Sequence, residues 1–127
     1  MTKHVVVWID HKEAHIFHVR RDGHDEAIVM APHGLHHKHP KGPEGVKEHP
    51  NDLKQFFAEV ERSLADADEI LLVGPSSAKL ELLRHLGKHA HALEAKVVGV
   101  ESVDHPTDGQ LVAYARKEFE LDAATAR

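Results

Sequence analysis

Two short apolar runs constrain the fold of this chain more than any other feature. Residues 4–9 (HVVVWI) and 69–73 (EILLV) are apolar almost throughout and show no alternation with polar residues. Such runs are typical of strands that are covered on both faces, because a strand with one face in water alternates. We therefore predict a sheet that is flanked by helices.

The start of the chain predicts an antiparallel meander. Its three strands are placed over residues 4–9, 14–19 and 26–30. In the second strand Ile16 faces one side of the sheet and Phe17 and Val19 face the other, because successive side chains alternate. Residues 10–13 form a polar break that fits a hairpin turn. Residues 21–23 fit the next one, because Asp-Gly favours the positive φ that tight hairpins require.

After residue 50 the chain alternates helices with strands. Apolar residues at helical spacing predict three amphipathic helices, which carry Leu53, Phe56, Phe57, Val60 and Leu64, then Leu80, Leu83, Leu86 and Ala90, then Leu111, Val112, Ala115 and Phe119. Strands are predicted between them, over residues 69–73 and 96–100. The expected caps are Asn51 or Asp52 for the first helix and Ser76 or Ser77 for the second.

The predicted order of elements is β-β-β-α-β-α-β-α. Strands that are separated by a helix pair in parallel through right-handed crossovers, whereas the early meander is antiparallel. The fold class is therefore α/β with a mixed five-stranded sheet flanked by helices, which is the ribonuclease H-like arrangement. The length fits a single domain over residues 1–127, with a frayed tail at 122–127.

Composition restricts the class of protein. With 41% hydrophobic residues the chain is globular, and no apolar run approaches the roughly 20 residues that a membrane span needs. The absence of cysteine rules out disulfides and thiolate metal sites and fits a cytoplasmic protein. The net charge of −5 counts 14 histidines as neutral, so any basic surface must be local.

Residues 32–50 differ in character from the rest of the chain. They hold four of the six prolines, and their only aliphatic side chains are Leu35 and Val46. We predict a long His-rich loop, a connection that is uncommon inside a compact domain and usually functional. Its candidate RNA-binding residues are His33, His36, His37, Lys38, His39, Lys41 and Lys47. Imidazoles can stack on bases and lysines can pair with phosphates, which suits RNA better than duplex DNA.

The same histidines allow a second interpretation, a divalent-metal module. The candidate ligands are His36, His37, His39 and His49, whose nitrogens suit zinc, nickel or copper. Nothing in a loop rich in glycine and proline fixes their geometry. We therefore expect adventitious zinc or nickel affinity and no resident cofactor.

A metal-dependent nuclease is a third interpretation. It would use Asp10 at the end of the first strand together with Glu101, Asp104 and Asp108. Such an enzyme needs acidic groups that converge at several strand ends, but the strand at 69–73 is followed by Gly74-Pro75. The alternative for Asp10 is an ordinary turn residue, which we favour.

Two helix starts carry motifs with competing interpretations. Thr107-x-x-Gln110 has the spacing of a capping box, in which each side chain binds the backbone amide of the other residue. Residues 74–77 (GPSS) resemble a phosphate-binding turn at a helix N-terminus, but they lack the repeated glycines and the lysine of a P-loop. Helix capping accounts for both motifs.

Three stretches resemble a known protein family. They are VWIDHKEA at residues 7–14, LVGPSSAKLEL at 72–82 and DHPTDGQLVAYAR at 104–116. The chain is similar over nearly its whole length to bacterial proteins called translational machinery proteins. These are relatives of the central domain of the archaeal and eukaryotic peptide-chain release factors and of Pelota, and the resemblance implies the ribonuclease H-like fold.

The resemblance also implies a function. Release factors carry a catalytic Gly-Gly-Gln in the long loop after the early hairpin, and residues 32–50 at that position contain no such tripeptide. Gly109-Gln110 lies before the last helix instead, so peptidyl-tRNA hydrolysis is not implied. We predict a non-catalytic factor that binds the ribosome or structured RNA during stalling, stress or hibernation. An exposed edge strand leaves homo-oligomerisation through the sheet edge open.

Overall fold

The structure is a computed structural model that describes residues 2–32 and 50–121. The predicted tail at 122–127 lies outside these ranges. Along the chain the elements are β1 (His4–Ile9), β2 (Glu13–Arg20), β3 (Gly23–Met30), α1 (Pro50–Ser63), β4 (Glu69–Gly74), α2 (Ala78–His89), α3 (His91–Glu94), β5 (Val97–Ser102) and α4 (Asp108–Glu118). This is the predicted order with one addition, the single turn α3 between α2 and β5.

The strands form one mixed sheet in the order β3-β2-β1-β4-β5. β1 pairs with β2, and β2 with β3, in antiparallel fashion, whereas β4 runs parallel to both β1 and β5. The α/β class with a mixed five-stranded sheet is therefore confirmed. β3 and β5 lie at the edges, and oligomerisation through an edge stays a prediction.

Each face of the sheet packs against its own helices. Helices α1 and α2 cover one face, where Ile16 belongs to a core with Phe56 and Leu82. Helix α4 lies on the other face, where Phe17 belongs to a core with Leu111. The predicted division of the side chains of β2 between two faces is thus confirmed. No helix within the described ranges is long and apolar enough to cross a membrane.

The β2–β3 hairpin differs from its predicted form. Arg20 pairs with Gly23, so the loop has two residues and β3 begins before residue 26. Gly23 does not have a positive φ, so the predicted conformation is wrong, although the turn itself lies within the predicted residues 21–23. The longer strand is anchored by Arg116 of α4, whose Nε and Nη2 donate to the carbonyl oxygens of Arg20 at 2.9 Å and Gly23 at 3.2 Å.

The buried face of α2 is rotated from the predicted one. Leu86 of the predicted stripe is fully buried, and so is Leu82, which is not part of the stripe, but Leu80 is 48% exposed. Lys79 is buried in its place, and its Nζ donates to the carbonyl oxygen of Ser76 at 2.7 Å. The long aliphatic part of a lysine can fill apolar space when its amino group donates to an oxygen. The charge of Lys79 would predict an exposed position, which is not the one observed.

Helix α1 begins at Pro50, before both predicted caps. Proline suits the first helical position because its missing N–H would have no partner there. Asn51 and Asp52 therefore fall in the first turn. The predicted apolar stripe is confirmed, since Phe56 and Val60 are buried against the sheet.

Candidate functional site

The candidate site lies where the parallel strands end. The carboxyl ends of β1, β4 and β5 meet at one edge of the sheet, called here the carboxyl edge. Open α/β sheets bind ligands at such an edge. The described residues that flank 33–49 also lie on this side of the sheet, because β3 ends beside the β1–β2 turn and α1 leads back to the amino end of β4. At that turn the amide of Ala31 donates to the carbonyl oxygen of Lys12 at 2.9 Å.

Asp10 is a turn residue at this edge. Its Oδ1 accepts hydrogen bonds from the amides of Lys12 at 2.9 Å and Glu13 at 3.0 Å. Aspartate favours such turns because its short side chain can replace a backbone acceptor. The favoured interpretation of Asp10 therefore accounts for its geometry.

Strand β4 leaves the sheet through a glycine for a steric reason. Gly74 has a φ of +156°, which a side chain strongly disfavours, and an added Cβ would collide with the carbonyl oxygen of Ile9. The missing side chain lets the exits of β4 and β1 lie in direct contact.

The side chains in the turn after Gly74 bind other groups of the protein. Ser77 stands at the N-cap of α2 but makes no capping bond with its side chain. Its Oγ donates instead to Oε2 of Glu81 at 3.1 Å, and Oε1 of Glu81 lies 3.0 Å from Nε2 of His11. A carboxylate thus occupies the helix N-terminus, where a bound phosphate would sit. The geometry favours a structural turn over a phosphate site.

The capping box at α4 is confirmed. The amide of Gln110 donates to Oγ1 of Thr107 at 3.1 Å, and the amide of Thr107 donates to Oε1 of Gln110 at 2.9 Å. The Gln110 side chain is therefore committed to its own helix.

Three carboxylates surround one imidazole where α4 begins. In His15, Nδ1 lies 3.1 Å from Oε2 of Glu26, and Nε2 lies 3.4 Å from Oε2 of Glu13. Asp108, the first residue of α4, completes the group, because one ligand atom from each of His15, Glu26 and Asp108 lies within 4.8 Å of the others. We call these four residues the His15 cluster.

The charge of His15 is set by its neighbours. Burial lowers the pKa of His15, but hydrogen bonds to Glu26 and Glu13 and their negative charges raise it, and the result lies above the ordinary 6.5. The imidazole is therefore positively charged over more of the neutral pH range than an exposed histidine.

Trp8 forms a wall beside the cluster. Its indole N–H donates to the carbonyl oxygen of Asp104 at 2.8 Å, and its ring centroid lies 5.8 Å from that of His15 and 5.1 Å from that of His105. Only 5% of Trp8 is exposed, so its ring is too buried to stack on a ligand. It instead fixes the loop after β5 against the cluster.

The predicted RNA-binding residues lie outside the described residues. They are His33, His36, His37, Lys38, His39, Lys41 and Lys47. The predicted loop metal ligands, His36, His37, His39 and His49, lie outside them as well. Both assignments stay predictions.

The acids of the nuclease interpretation are not gathered in the part of the chain that the structure describes. They are Asp10, Glu101, Asp104 and Asp108. Only Asp108 belongs to a group of three potential metal ligands there, and its partners are His15 and Glu26. The carboxylate of Asp104 lies 3.0 Å from Nδ1 of the neighbouring His105 instead.

Sequence reasoning missed the His15 cluster because the cluster depends on register. His15 pairs with Ile28 and Phe17 pairs with Glu26, so His15 and Glu26 share a face and lie diagonally across two strands. A two-residue loop closed by Arg20 and Gly23 fixes that register. The prediction instead put Gly23 in the turn and began the third strand at residue 26, so it did not give this register. The alternation of β2 alone could only place His15 on the face of Phe17.

The fold is similar to that of solved translation factors. Pelota from Archaeoglobus fulgidus superposes with a TM-score of 0.66 and 17% identity, over 98% of this chain and 33% of that chain. For an archaeal translation termination factor the TM-score is 0.58 and the identity 14%, over 98% and 41%. For Dom34 from S. cerevisiae they are 0.58 and 9%, over 98% and 34%.

These likenesses establish the fold alone. This chain spans between 33% and 41% of the length of those three chains. No family model matches the sequence, and no curated protein is detectably similar to it.

Proposed function

We propose that this chain is a non-catalytic factor of the translation machinery that binds the ribosome or another structured RNA. The observation that carries the proposal is the shared fold. One neighbour is an archaeal translation termination factor, and Dom34 is a translation termination-like factor involved in RNA quality control. A place among the bacterial translational machinery proteins, with a role in stalling, stress or hibernation, is part of the same proposal.

The contact element of the proposal is the segment 33–49. Its composition supports the assignment, since it carries three lysines and several histidines against Glu44 and Glu48 in a chain of net charge −5. The described residues on either side of the segment, 32 and 50, lie on the side of the carboxyl edge. Phosphate contacts by such groups give affinity without sequence specificity, as binding to a structured RNA surface requires.

The proposal includes no catalytic step. Residues 33–49 contain no Gly-Gly-Gln tripeptide, and the side chain of Gln110 caps its own helix. A function that rests on binding needs neither group.

Cosedimentation with ribosomes tests the proposal. The full chain is centrifuged with purified ribosomes through a sucrose cushion at rising salt. We expect the protein in the pellet at low salt and its release as salt increases, because phosphate contacts liberate counterions. A triple variant, His37→Ala, Lys38→Ala and His39→Ala, should bind several-fold more weakly.

A matched triple variant controls for charge. Lys88→Ala, His89→Ala and His91→Ala also remove one lysine and two histidines, but from the end of α2 and the start of α3, on the side of the sheet away from the carboxyl edge. This variant should pellet like the unmodified chain, and circular dichroism confirms that both variants fold. Protein that stays in the supernatant at low salt, or equal losses in both variants, would contradict the proposal.

A further inference from the structure

The His15 cluster concentrates negative charge that no lysine or arginine offsets among the described residues. Glu13 and Glu26 each form an ion pair with His15, and none of the three carboxylates pairs with a lysine or arginine in those ranges. Carboxylates held this close repel one another unless a cation lies between them. One imidazolium compensates a single negative charge, whereas a divalent cation that displaces the Nδ1 proton would leave the cluster closer to neutrality.

The distances in the cluster match a shared coordination shell. Two ligands bound to one cation at about 2.1 Å lie about 3.0 to 3.4 Å apart if adjacent and about 4.2 Å apart if opposite. Nδ1 of His15 lies 3.1 Å from Oε2 of Glu26, and the three ligand atoms of His15, Glu26 and Asp108 fit within 4.8 Å. Small rotations of exposed carboxylates would close the remaining gap.

Glu13 occupies the position of an outer partner for the imidazole. A histidine that binds metal through one nitrogen commonly donates from the other to a carboxylate, which orients the ring and raises its basicity. Nε2 of His15 faces Oε2 of Glu13 at 3.4 Å, while Nδ1 faces Oε2 of Glu26 at 3.1 Å. The two nitrogens thus have distinct partners that suit these two roles.

Three rigid elements hold the ligands. His15 lies on β2 and Glu26 on β3, in a continuous antiparallel ladder, and Asp108 begins a helix whose first turn is fixed by the Thr107–Gln110 capping box. Ligands on strands and helices are positioned more accurately than ligands on loops. The side chains of His15 and Glu26 are 23% and 27% exposed, so an ion can reach them from solvent.

We propose that His15, Glu26 and Asp108 bind one divalent cation of the manganese or magnesium class, with water completing its shell. Two carboxylates together with water suit Mn²⁺ and Mg²⁺, and the single imidazole favours Mn²⁺ of these two, whereas histidine-rich sequences favour Zn²⁺, Ni²⁺ and Cu²⁺. None of the three ligands belongs to residues 33–49, so the assignment does not rest on RNA binding by that segment and uses none of its predicted metal ligands.

Mn²⁺ distinguishes this site from the loop histidines, because among these transition metals it has the lowest affinity for sites made of histidine alone. The full chain is treated with chelator, desalted and titrated with Mn²⁺, and the free ion is followed by electron paramagnetic resonance. We expect saturable binding of one ion with a Kd below about 1 mM. In the same titration the indole N–H proton of Trp8, the single tryptophan, should broaden in the NMR spectrum, because its ring lies 5.8 Å from that of His15.

Two variants remove a ligand each with little threat to folding. Glu26→Gln alters an edge strand, and Asp108→Asn keeps a polar residue in the first helical turn. Each should weaken Mn²⁺ binding by at least about tenfold and abolish the broadening of Trp8. Glu118→Gln, at the far end of α4, removes one carboxylate as a matched control and should change neither signal.

The loop histidines provide the second control. A variant with His36→Ala, His37→Ala and His39→Ala should retain both Mn²⁺ binding and the broadening of Trp8. Binding that survives Glu26→Gln and Asp108→Asn, or that disappears with the loop histidines, would overturn the assignment. So would a full chain that binds no Mn²⁺ in this range.

Discussion

The two faces of the sheet differ in how completely they are covered. One face lies under two helices, α1 with 14 residues and α2 with 12. Among the described residues the other lies under α4 alone, with 11 residues, and there Ile28 and Met30 of β3 are 53% and 59% exposed. The first face can be built from apolar residues alone. On the second face the cover by α4 ends part of the way across the sheet, and beyond that point polar groups reach water.

Strand β2 shows that boundary within one row of side chains. On the face toward α4, Val19 and Phe17 are 2% and 0% exposed, but His15 and Glu13 farther toward the start of the strand are only partly buried. The change from apolar to charged residues coincides with the first residue of α4, Asp108. A short helix over a long strand therefore creates a partly shielded position where ionisable groups can meet.

The largest expected effect is a difference in the stability lost when a leucine is truncated in each of the two cores. Leu82→Ala should lower the free energy of unfolding by about 3 to 5 kcal/mol, because Leu82 is fully buried between α2 and the sheet and its cavity cannot collapse. Leu111→Ala, in the first turns of α4, should cost about 2 to 3 kcal/mol, because water and nearby side chains can fill part of the space. Urea denaturation measures both, and equal or reversed losses would contradict the unequal covering of the faces.

The fold could be predicted because it depends on patterns within single elements. The apolar runs of β1 and β4 predicted central strands, and the stripe on α1 predicted its buried face. Both patterns have a fixed period that burial enforces. The patterns failed where one contact overrode them, at Lys79, whose amino group reaches a carbonyl oxygen, and at Gly23, which Arg116 holds in an extended strand.

The candidate site could not be predicted because it depends on distances between elements. Each residue of the His15 cluster looks ordinary in its own segment, as a strand histidine, two strand glutamates and a helix-start aspartate. They meet only when the register of β2 with β3 and the start of α4 are both known to within one residue. The spacing of Glu13 and His15 was no signal either, because Glu13 fell in the predicted turn at residues 10–13.

A smaller loss of stability is expected when the contact that holds α4 on the less covered face is removed. Arg116→Ala removes two hydrogen bonds to the carbonyl oxygens of Arg20 and Gly23, which tie α4 to the hairpin. We expect a loss of about 1 kcal/mol, because the bonds are partly exposed and water can replace them. Thermal unfolding followed by circular dichroism measures the loss. The exposed neighbour Lys117→Ala should leave stability unchanged, and an equal loss there would show that the contact of Arg116 is not the cause.

The smallest expected effect is a pH dependence confined to the partly covered face. The pKa of His15 lies above 6.5 in the folded protein because the hydrogen bonds and charges of Glu26 and Glu13 outweigh burial. A raised folded-state pKa means that this contribution to stability is fully present below pH 6.5 and is lost as pH rises through the folded value.

With chelator present, the unmodified chain should therefore lose a few tenths of a kcal/mol relative to His15→Gln as pH rises from 6.5 through the folded value, a small amount because the pair is partly solvated. Denaturation midpoints at a series of pH values measure the difference. A chain that instead gains stability relative to His15→Gln over that range would show that burial dominates at His15. Burial would then decide the charge of an ionisable group on the face under α4, as it would on the face under α1 and α2. The two faces would differ in how well they are covered but not in their electrostatics.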